Sequence, residues 1–319
     1  MRAFIFPGQG SQAVGMGAAL ADASAVAREV FGEVDEALGQ NLRRLMAEGP
    51  QDELTLTENA QPAIMANAIA TLRVLTREGN VRLAEKADYV AGHSLGEYSA
   101  LCAAEALDLG TTARLLRTRG RAMQAAVPVG EGAMAALLGA DVEKAQAIAG
   151  AAVDLILTET GETLVCTVAN DNDPSQVVIS GHRVAVERAV ALAKEMGAKR
   201  AVLLPVSAPF HCALMEDAAR VMEGALAEAD LRAPLVPVFA NVDAAAVADP
   251  GAIRRLLVEQ VTGRVRWRES VLAMVDVGVT EFVEFGGKVL SPMVKRIAPD
   301  VEAVSVVSMD DVEAVLKKF

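Results

Sequence analysis

The sequence predicts an α/β protein in which a mostly parallel sheet, covered by helices, is interrupted by a smaller βαββαβ unit. Three observations carry this. Apolar runs at 2–6, 88–92, 236–241, 280–285 and 303–307 alternate with longer helix-forming stretches, as parallel strands joined by crossover helices do. From Gly132 onward the rhythm changes to closely spaced β-rich runs. The composition, 52% hydrophobic and 23% charged over 319 residues, supports a sizeable core and argues against disorder.

Residues 2–6 read as a buried strand, and Pro7-Gly8-Gln9-Gly10-Ser11-Gln12 as a loop at its end, where α/β proteins place ligand sites. Helices are expected at 18–38 and 61–78. Pro62 lies near the first turn of the second, and Ile64, Ala68, Leu72 and Leu75 form its core stripe. A strand at 88–92 runs into Gly92-His93-Ser94-Leu95-Gly96-Glu97, followed by helices at 96–106 and 110–126. Of Arg114, Arg117, Arg119 and Arg121 on the latter, most are expected on a solvated face. Strands at 133–139, 163–169, 176–181 and 199–204, with helices at 141–151 and 183–196, give the order of a ferredoxin-like unit. Within it, Asn170-Asp171-Asn172-Asp173-Pro174-Ser175 reads as a turn. After Pro205 come a loop to His211, a helix at 212–229, a strand ending at Asn241, and helices at 250–262 and 267–277. A strand at 280–285, a helix opened by Gly286-Gly287-Lys288, a last strand and a terminal helix complete the chain. The division that follows is a catalytic domain of residues 1–130 and 206–319 with an inserted domain at 131–205.

A net charge of −12 and an aromatic content of 3% exclude a nucleic-acid surface, which needs cations and stacking rings. Cys102, Cys166 and Cys212 are odd in number and lack C-x-x-C spacing, so they read as reduced, buried residues of a reducing compartment. There is no signal-like apolar stretch near Met1 and no uncharged apolar run of about 18 residues, so a cytoplasmic protein without a membrane span is expected.

The chemistry centres on Ser94. Strand, Gly-x-Ser-x-Gly turn and helix is the context of the hydrolase nucleophile elbow, which lifts the serine to a helix N-terminus. Serine needs a base to take its proton. His93 adjoins Ser94 and is expected to point away from it; His182 lies in the inserted unit and reads as structural. His211, on the loop after Pro209, is the base candidate. Asp154, Asp171 and Asp173 are poorly placed to complete a triad, which leaves a Ser–His dyad oriented by another group such as a backbone carbonyl. Cys212 adjoins His211 and is unsuited to act as its nucleophile.

Five segments occur together in order: Pro7–Gln12, Gly92-His93-Ser94-Leu95-Gly96-Glu97-Tyr98-Ser99-Ala100, Arg119-Gly120, Pro209-Phe210-His211-Cys212-Ala213-Leu214-Met215 and Asn241-Val242. As a set they resemble the malonyl-CoA:acyl-carrier-protein transacylases of bacterial fatty-acid synthesis, a family shared with the acyltransferase domains of polyketide synthases. The resemblance implies that Ser94 is acylated, that His211 is its general base, and that the backbone N–H groups of Gln9 and Leu95 form the oxyanion hole. It implies that Arg119 holds the malonyl carboxylate, that the backbone carbonyl of Gln260 orients the histidine, and that His93 and Asn241 stand beside the reacting groups. A guanidinium suits that carboxylate because its fork binds both oxygens. Phe210, beside the base, is expected to crowd substituents on the malonyl α-carbon. The resemblance further implies ping-pong transfer between malonyl-CoA and an acyl carrier protein, by a monomer with no metal or redox cofactor. Arg117, Lys288, Lys295 and Arg296 are the basic residues proposed to dock the acidic carrier. In one respect the chain departs from the family: the loop Glu284-Phe285-Gly286-Gly287-Lys288 is a residue shorter than usual. The alternatives are a stand-alone polyketide acyltransferase, a serine esterase or thioesterase, which has no use for the Arg119 cation, and a non-catalytic carrier-binding scaffold, which has no use for the intact Ser94, His211 and Arg119.

Overall fold

The computed structural model describes residues 1–319. The apolar runs form ten strands: β1 (Arg2–Phe6), β2 (Tyr89–Gly92), β3 (Gly132–Leu138), β4 (Cys166–Asp173), β5 (Gln176–His182), β6 (Arg200–Leu203), β7 (Val238–Ala240), β8 (Ala245–Val247), β9 (Glu281–Phe285) and β10 (Glu302–Val306). Six make one sheet, in the order β10-β9-β1-β2-β7-β8, and four make a second, in the order β4-β5-β3-β6. In the first sheet every pairing is parallel except that of β7 with β8, a hairpin the sequence pattern does not announce. In the second sheet every pairing is antiparallel.

Central β1 shows why the first sheet is covered on both faces. Phe4 and Phe6 pack into the largest core cluster, beneath the helices of the first half of the chain. Ala3 and Ile5 point to the other face and join Trp267, Val271 and Leu290 in a separate cluster. Burial of alternate residues on both sides is what makes such a strand continuously apolar. The second sheet has a core of its own, in which Ala135, Leu137 and Ile179 pack against Ile148 and Val186 of its two helices.

Several elements differ from the sequence expectation, each for a local or tertiary reason. The helix expected at 18–38 breaks at Ser24, an extended residue whose side chain accepts from the amide of Ala27 and starts a new helix, Ala25–Leu38. The helix containing Pro62 begins at Thr57, so the proline sits a turn deeper than expected. The helix expected at 141–151 continues from Val142 to Thr160 and stops at Gly161, whose φ is 75°. The largest correction concerns 170–175. Asn170 to Asp173 belong to β4, and only Pro174-Ser175 turns. Turn propensity loses because this edge has partners elsewhere: the Asp171 amide donates to Val265 O, and the Val265 amide to Ala169 O. Asp171 pairs with Arg268 at 3.0 Å and Asp173 with Arg296 at 2.8 Å, tying the second sheet to two helices of the first.

Gly92 ends β2 where it meets the following helix, and a Cβ there would lie 1.9 Å from the carbonyl group of Gly96. Gly92→Ala should lower stability by about 1–3 kcal/mol, the usual range for overpacking. Gly150, on an open helix face with nothing near its missing Cβ, provides the contrast: Gly150→Ala should be neutral or stabilising by about 0.4–1 kcal/mol. Thermal or urea unfolding of the two variants checks this, and equal effects would contradict the close approach.

Candidate active site

Ser94 occupies the junction between β2 and the helix Leu95–Ala103, with φ 53° and ψ −111°. Non-glycine residues avoid this region, at a strain of about 1–3 kcal/mol. Hydrogen bonds on both sides hold it there. The Ser94 amide donates to Asn241 Oδ1 at 2.7 Å, and Gln260 Nε2 donates to Ser94 O at 3.0 Å. Asn241 is itself pinned, its Nδ2 donating to Gly92 O at 2.7 Å.

The consequence is a hydroxyl aimed at His211. Ser94 Oγ lies 2.8 Å from His211 Nε2, and His211 Nδ1 lies 2.8 Å from the backbone carbonyl of Gln260. A carbonyl only accepts, so Nδ1 carries the proton and Nε2 is left to accept from the serine hydroxyl. No carboxylate is needed to fix the tautomer. His211 is buried, and burial together with the nearby Arg119 charge pushes its pKa down to about 3.

The arginine helix Leu109–Ala125 brings Arg119 to the same point, 2% exposed. Its Nη2 donates to Ser94 Oγ at 3.1 Å and to Gln260 Oε1 at 2.9 Å, and its Nη1 to Gln61 Oε1 at 2.9 Å. All three partners are neutral, so a buried cation is solvated by dipoles with no ion pair. Arg117 is also buried and donates to Gln40. It therefore belongs neither to a solvated face nor to an exposed docking patch, as the sequence had suggested. Both departures arise because this helix is covered by Ala25–Leu38 and Thr57–Arg73, against which its mid-section packs.

A cavity of about 480 Å³ opens over Ser94, His211 and Arg119. Its lining includes the Gln9 loop, Met134, Asn170 and Val178 of the second sheet, and Phe210 and Leu95. The backbone amides of Gln9 and Leu95 donate to no protein acceptor. His93 bonds Asn172 through Nε2 at 2.8 Å and makes no bond to Ser94. His182 lies at the end of β5 and accepts from the Val165 amide at 2.9 Å. Cys212 is buried, its thiol directed at Pro209 O at 3.2 Å and raised in pKa chiefly by burial.

The remaining basic residues lie around the helix Leu290–Ile297. Lys288 is exposed; Lys295 donates to Pro299 O at 2.6 Å and Val301 O at 2.8 Å; Arg296 pairs with Asp173. The short loop before this helix is held by Glu284, whose carboxylate accepts from the amides of Val289, Leu290 and Ser291. No group of three or more His, Cys, Asp or Glu side chains is placed to hold a metal ion.

Three participants escaped sequence reasoning. Gln61 and Asn172 carry no local signal, since nothing near them in sequence indicates what they face. Glu97 lies within the Ser94 motif, where the sequence assigns it no role. It is 1% exposed, and burial raises its pKa to about 7 against the lowering pull of the Asn241 amide, the Gln260 side chain and Arg119.

The low pKa of His211 yields a direct test. Its imidazole should stay neutral from about pH 8 to about pH 5, the interval in which ordinary histidines charge. Ring resonances assigned to His211 should show no titration there by NMR, and a midpoint at the ordinary 6.5 would contradict the burial. The unfolded chain takes up a proton below that value while the folded chain does not. This site therefore adds stability above about pH 6.5 that is progressively lost as the pH falls towards 3.

Residues 3–287 match the acyl transferase domain family. A Bacillus subtilis protein named malonyl CoA-acyl carrier protein transacylase is 43% identical over 316 residues, spanning 99% of this chain and 96% of its own. The crystal structure of an acyl-carrier-protein S-malonyltransferase from Bartonella henselae is 51% identical and superposes with a TM-score of 0.94, covering 99% of this chain and 98% of that one. A malonyl-transacylase solved in complex with its type II PKS acyl-carrier protein is 39% identical with a TM-score of 0.92, covering 100% of this chain and 99% of that one. The chain therefore belongs to the acyl transferase domain family.

Proposed function

We propose that this protein transfers the malonyl group of malonyl-CoA to the phosphopantetheine thiol of an acyl carrier protein, in fatty-acid synthesis. The single observation that carries the reading is a cation with no carboxylate partner, Arg119, within 3.1 Å of a serine hydroxyl that is itself 2.8 Å from a neutral histidine. An esterase for neutral acyl groups would bury that charge for nothing. The malonyl group carries the one carboxylate that acetyl lacks.

The chemistry follows from the geometry. His211 Nε2 takes the Ser94 proton as Oγ attacks the thioester carbonyl. The charge that develops on the carbonyl oxygen falls to the Gln9 and Leu95 amides, at a helix N-terminus that favours it. Collapse breaks the C–S bond, and His211 returns the proton to the departing CoA thiol. In the second half the carrier thiol gives its proton to His211 and attacks the malonyl-serine, and Ser94 regains its proton as it leaves. Arg119 couples recognition to this proton transfer. Its charge depresses the histidine in the free enzyme, and a bound malonyl carboxylate offsets that charge, making His211 a stronger base when the right substrate is present. His93 and Asn241 hold the walls and the elbow, and Phe210 narrows the space over the malonyl α-carbon.

The reading needs no cofactor beyond the substrate, since proton transfer and acyl exchange are carried by side chains. Residues 1–130 with 206–319 form the hydrolase-like catalytic domain, and 131–205 a ferredoxin-like insertion. The separate core of the latter and its β4-β5-β3-β6 order favour this division. Three free, buried cysteines accord with a cytoplasmic protein. Lys288, Lys295 and Arg296 remain the docking residues for an acidic carrier, because their helix borders the cavity through Val289, Leu290 and Met293. A polyketide carrier is the second reading, favoured by the relative solved with one.

Intact-mass measurement after mixing with malonyl-CoA should show one malonyl adduct, absent in Ser94→Ala, whose transfer activity should fall by several powers of ten. An adduct that survives in the alanine variant would overturn the assignment. Removing Arg119 should cost about 3–5 kcal/mol of malonyl recognition, as breaking a buried ion pair does, or roughly a 10²–10⁴-fold loss. Arg119→Ala should keep or improve acetyl transfer, and an unchanged malonyl-to-acetyl preference would show that another cation holds the carboxylate.

A further inference from the structure

One buried ionisable group near the reacting atoms has no part in that mechanism. Glu97 lies in the first turn of the helix that begins at Leu95, and its Oε2 accepts from the Asn241 amide at 3.0 Å and from Gln260 Nε2 at 2.8 Å. Those two partners are the ones that grip the Ser94 backbone, Asn241 from its amide and Gln260 from its carbonyl. Gln260 has a further task. With its Nε2 turned towards Glu97 and Ser94 O, its Oε1 is turned towards Arg119 Nη2, 2.9 Å away.

An amide side chain has one donor end and one acceptor end, and reversing it exchanges them. Reversal of Gln260 would set its N–H groups against those of Arg119, leaving the guanidinium held by Gln61 and by the Ser94 hydroxyl that must react. Ser94 O accepts only one of the two Nε2 hydrogens, and of the other acceptors Glu97 Oε2 at 2.8 Å is nearer than Asn241 Oδ1 at 3.4 Å and alone belongs to a carboxyl group. We infer that Glu97 is a positioning residue: by accepting from Gln260 it fixes the direction of that amide, and so keeps Arg119 aimed at the site of the substrate carboxylate. The inference rests on Arg119 being the carboxylate-binding residue.

Loss of the acceptor should therefore harm malonyl transfer more than acetyl transfer, because only malonyl uses Arg119. A purely structural role would lower both together. Glu97→Leu should reduce kcat/KM for malonyl transfer about tenfold to a hundredfold relative to acetyl, the scale of one hydrogen bond to a charged group. Glu97→Gln keeps an oxygen acceptor and should restore malonyl transfer to within a few-fold. Gln260→Leu keeps the backbone carbonyl that orients His211 but also frees Ser94 O, and should lower both transfers, malonyl more than acetyl. The double variant should have the same malonyl-to-acetyl ratio as Gln260→Leu alone, since both changes break one path to Arg119.

The stoichiometry of Ser94 malonylation normalises each rate to folded enzyme. If Glu97→Leu does not fold, Gln260→Leu compared with Gln260→Leu/Glu97→Gln carries the test, and these two should have the same malonyl-to-acetyl ratio. Equal loss of both acyl groups, failure of Glu97→Gln to rescue, or a further fall in the malonyl-to-acetyl ratio in either double variant would overturn the inference. Arg119→Ala run alongside separates the two levels. If it leaves the preference intact, the reading of Arg119 fails. If it abolishes the preference while Glu97→Leu does not, only the role of Glu97 fails.

Discussion

The site depends on one strained residue. Ser94 sits in a backbone conformation that serine avoids, and it stays there because its amide and its carbonyl are both gripped by side chains from a distant part of the chain. Asn241 follows β7, the neighbour of β2 in the sheet, and Gln260 lies near the end of the helix Pro250–Thr262. The parallel register of β1 with β2 contributes as well, since the His93 amide donates to Phe6 O across that pair. Sheet order and loop chemistry thus act on one φ angle, and the direction of the hydroxyl follows from it.

Gln260 is the residue through which these constraints meet. Its backbone carbonyl sets the His211 tautomer, its amide nitrogen holds Ser94, and its amide oxygen holds Arg119. Each contact uses a different atom, so one buried side chain and its own peptide group link Ser94, His211 and Arg119. This explains how a serine can be paired with a histidine without the usual carboxylate. A carboxylate near His211 would stabilise the imidazolium, but it would also offset the positive charge of Arg119, which has no ion pair. A neutral carbonyl orients the base and leaves that charge available.

The second sheet has a mechanical part. β4 presents Asn170 and Asn172 on the cavity side, while Asp171 and Asp173 face arginines on the helices Trp267–Asp276 and Leu290–Ile297. Adjacent residues on a strand point to opposite sides, so this acidic and amide alternation serves as a wall on one face and an anchor on the other. Both aspartates are almost fully buried and both are paired, which offsets part of the penalty that isolated buried carboxylates would carry, although burial still outweighs Arg268 and raises the pKa of Asp171.

Much of the molecule was legible in the sequence. The strand–turn–helix around Ser94, the loop carrying His211, the absence of a convincing triad carboxylate and the alternation of strands and helices all rest on local rules: apolar periodicity, glycine and proline placement, and the need of serine for a base. The order of strands in both sheets, the partners of Arg119 and Arg117, and the buried state of Glu97 depend on which segments meet in space. No short window encodes that. Asn170 to Asp173 show the boundary most plainly. Their composition is that of a turn, and they form a strand because Val265, Arg268 and Arg296, about a hundred residues away or more, supply the hydrogen bonds and charges that a turn would have left to water. Residue types and local spacing determined which groups could react; the tertiary structure decided which of them are desolvated together, and desolvation is what turns a serine, a histidine and an arginine into one site.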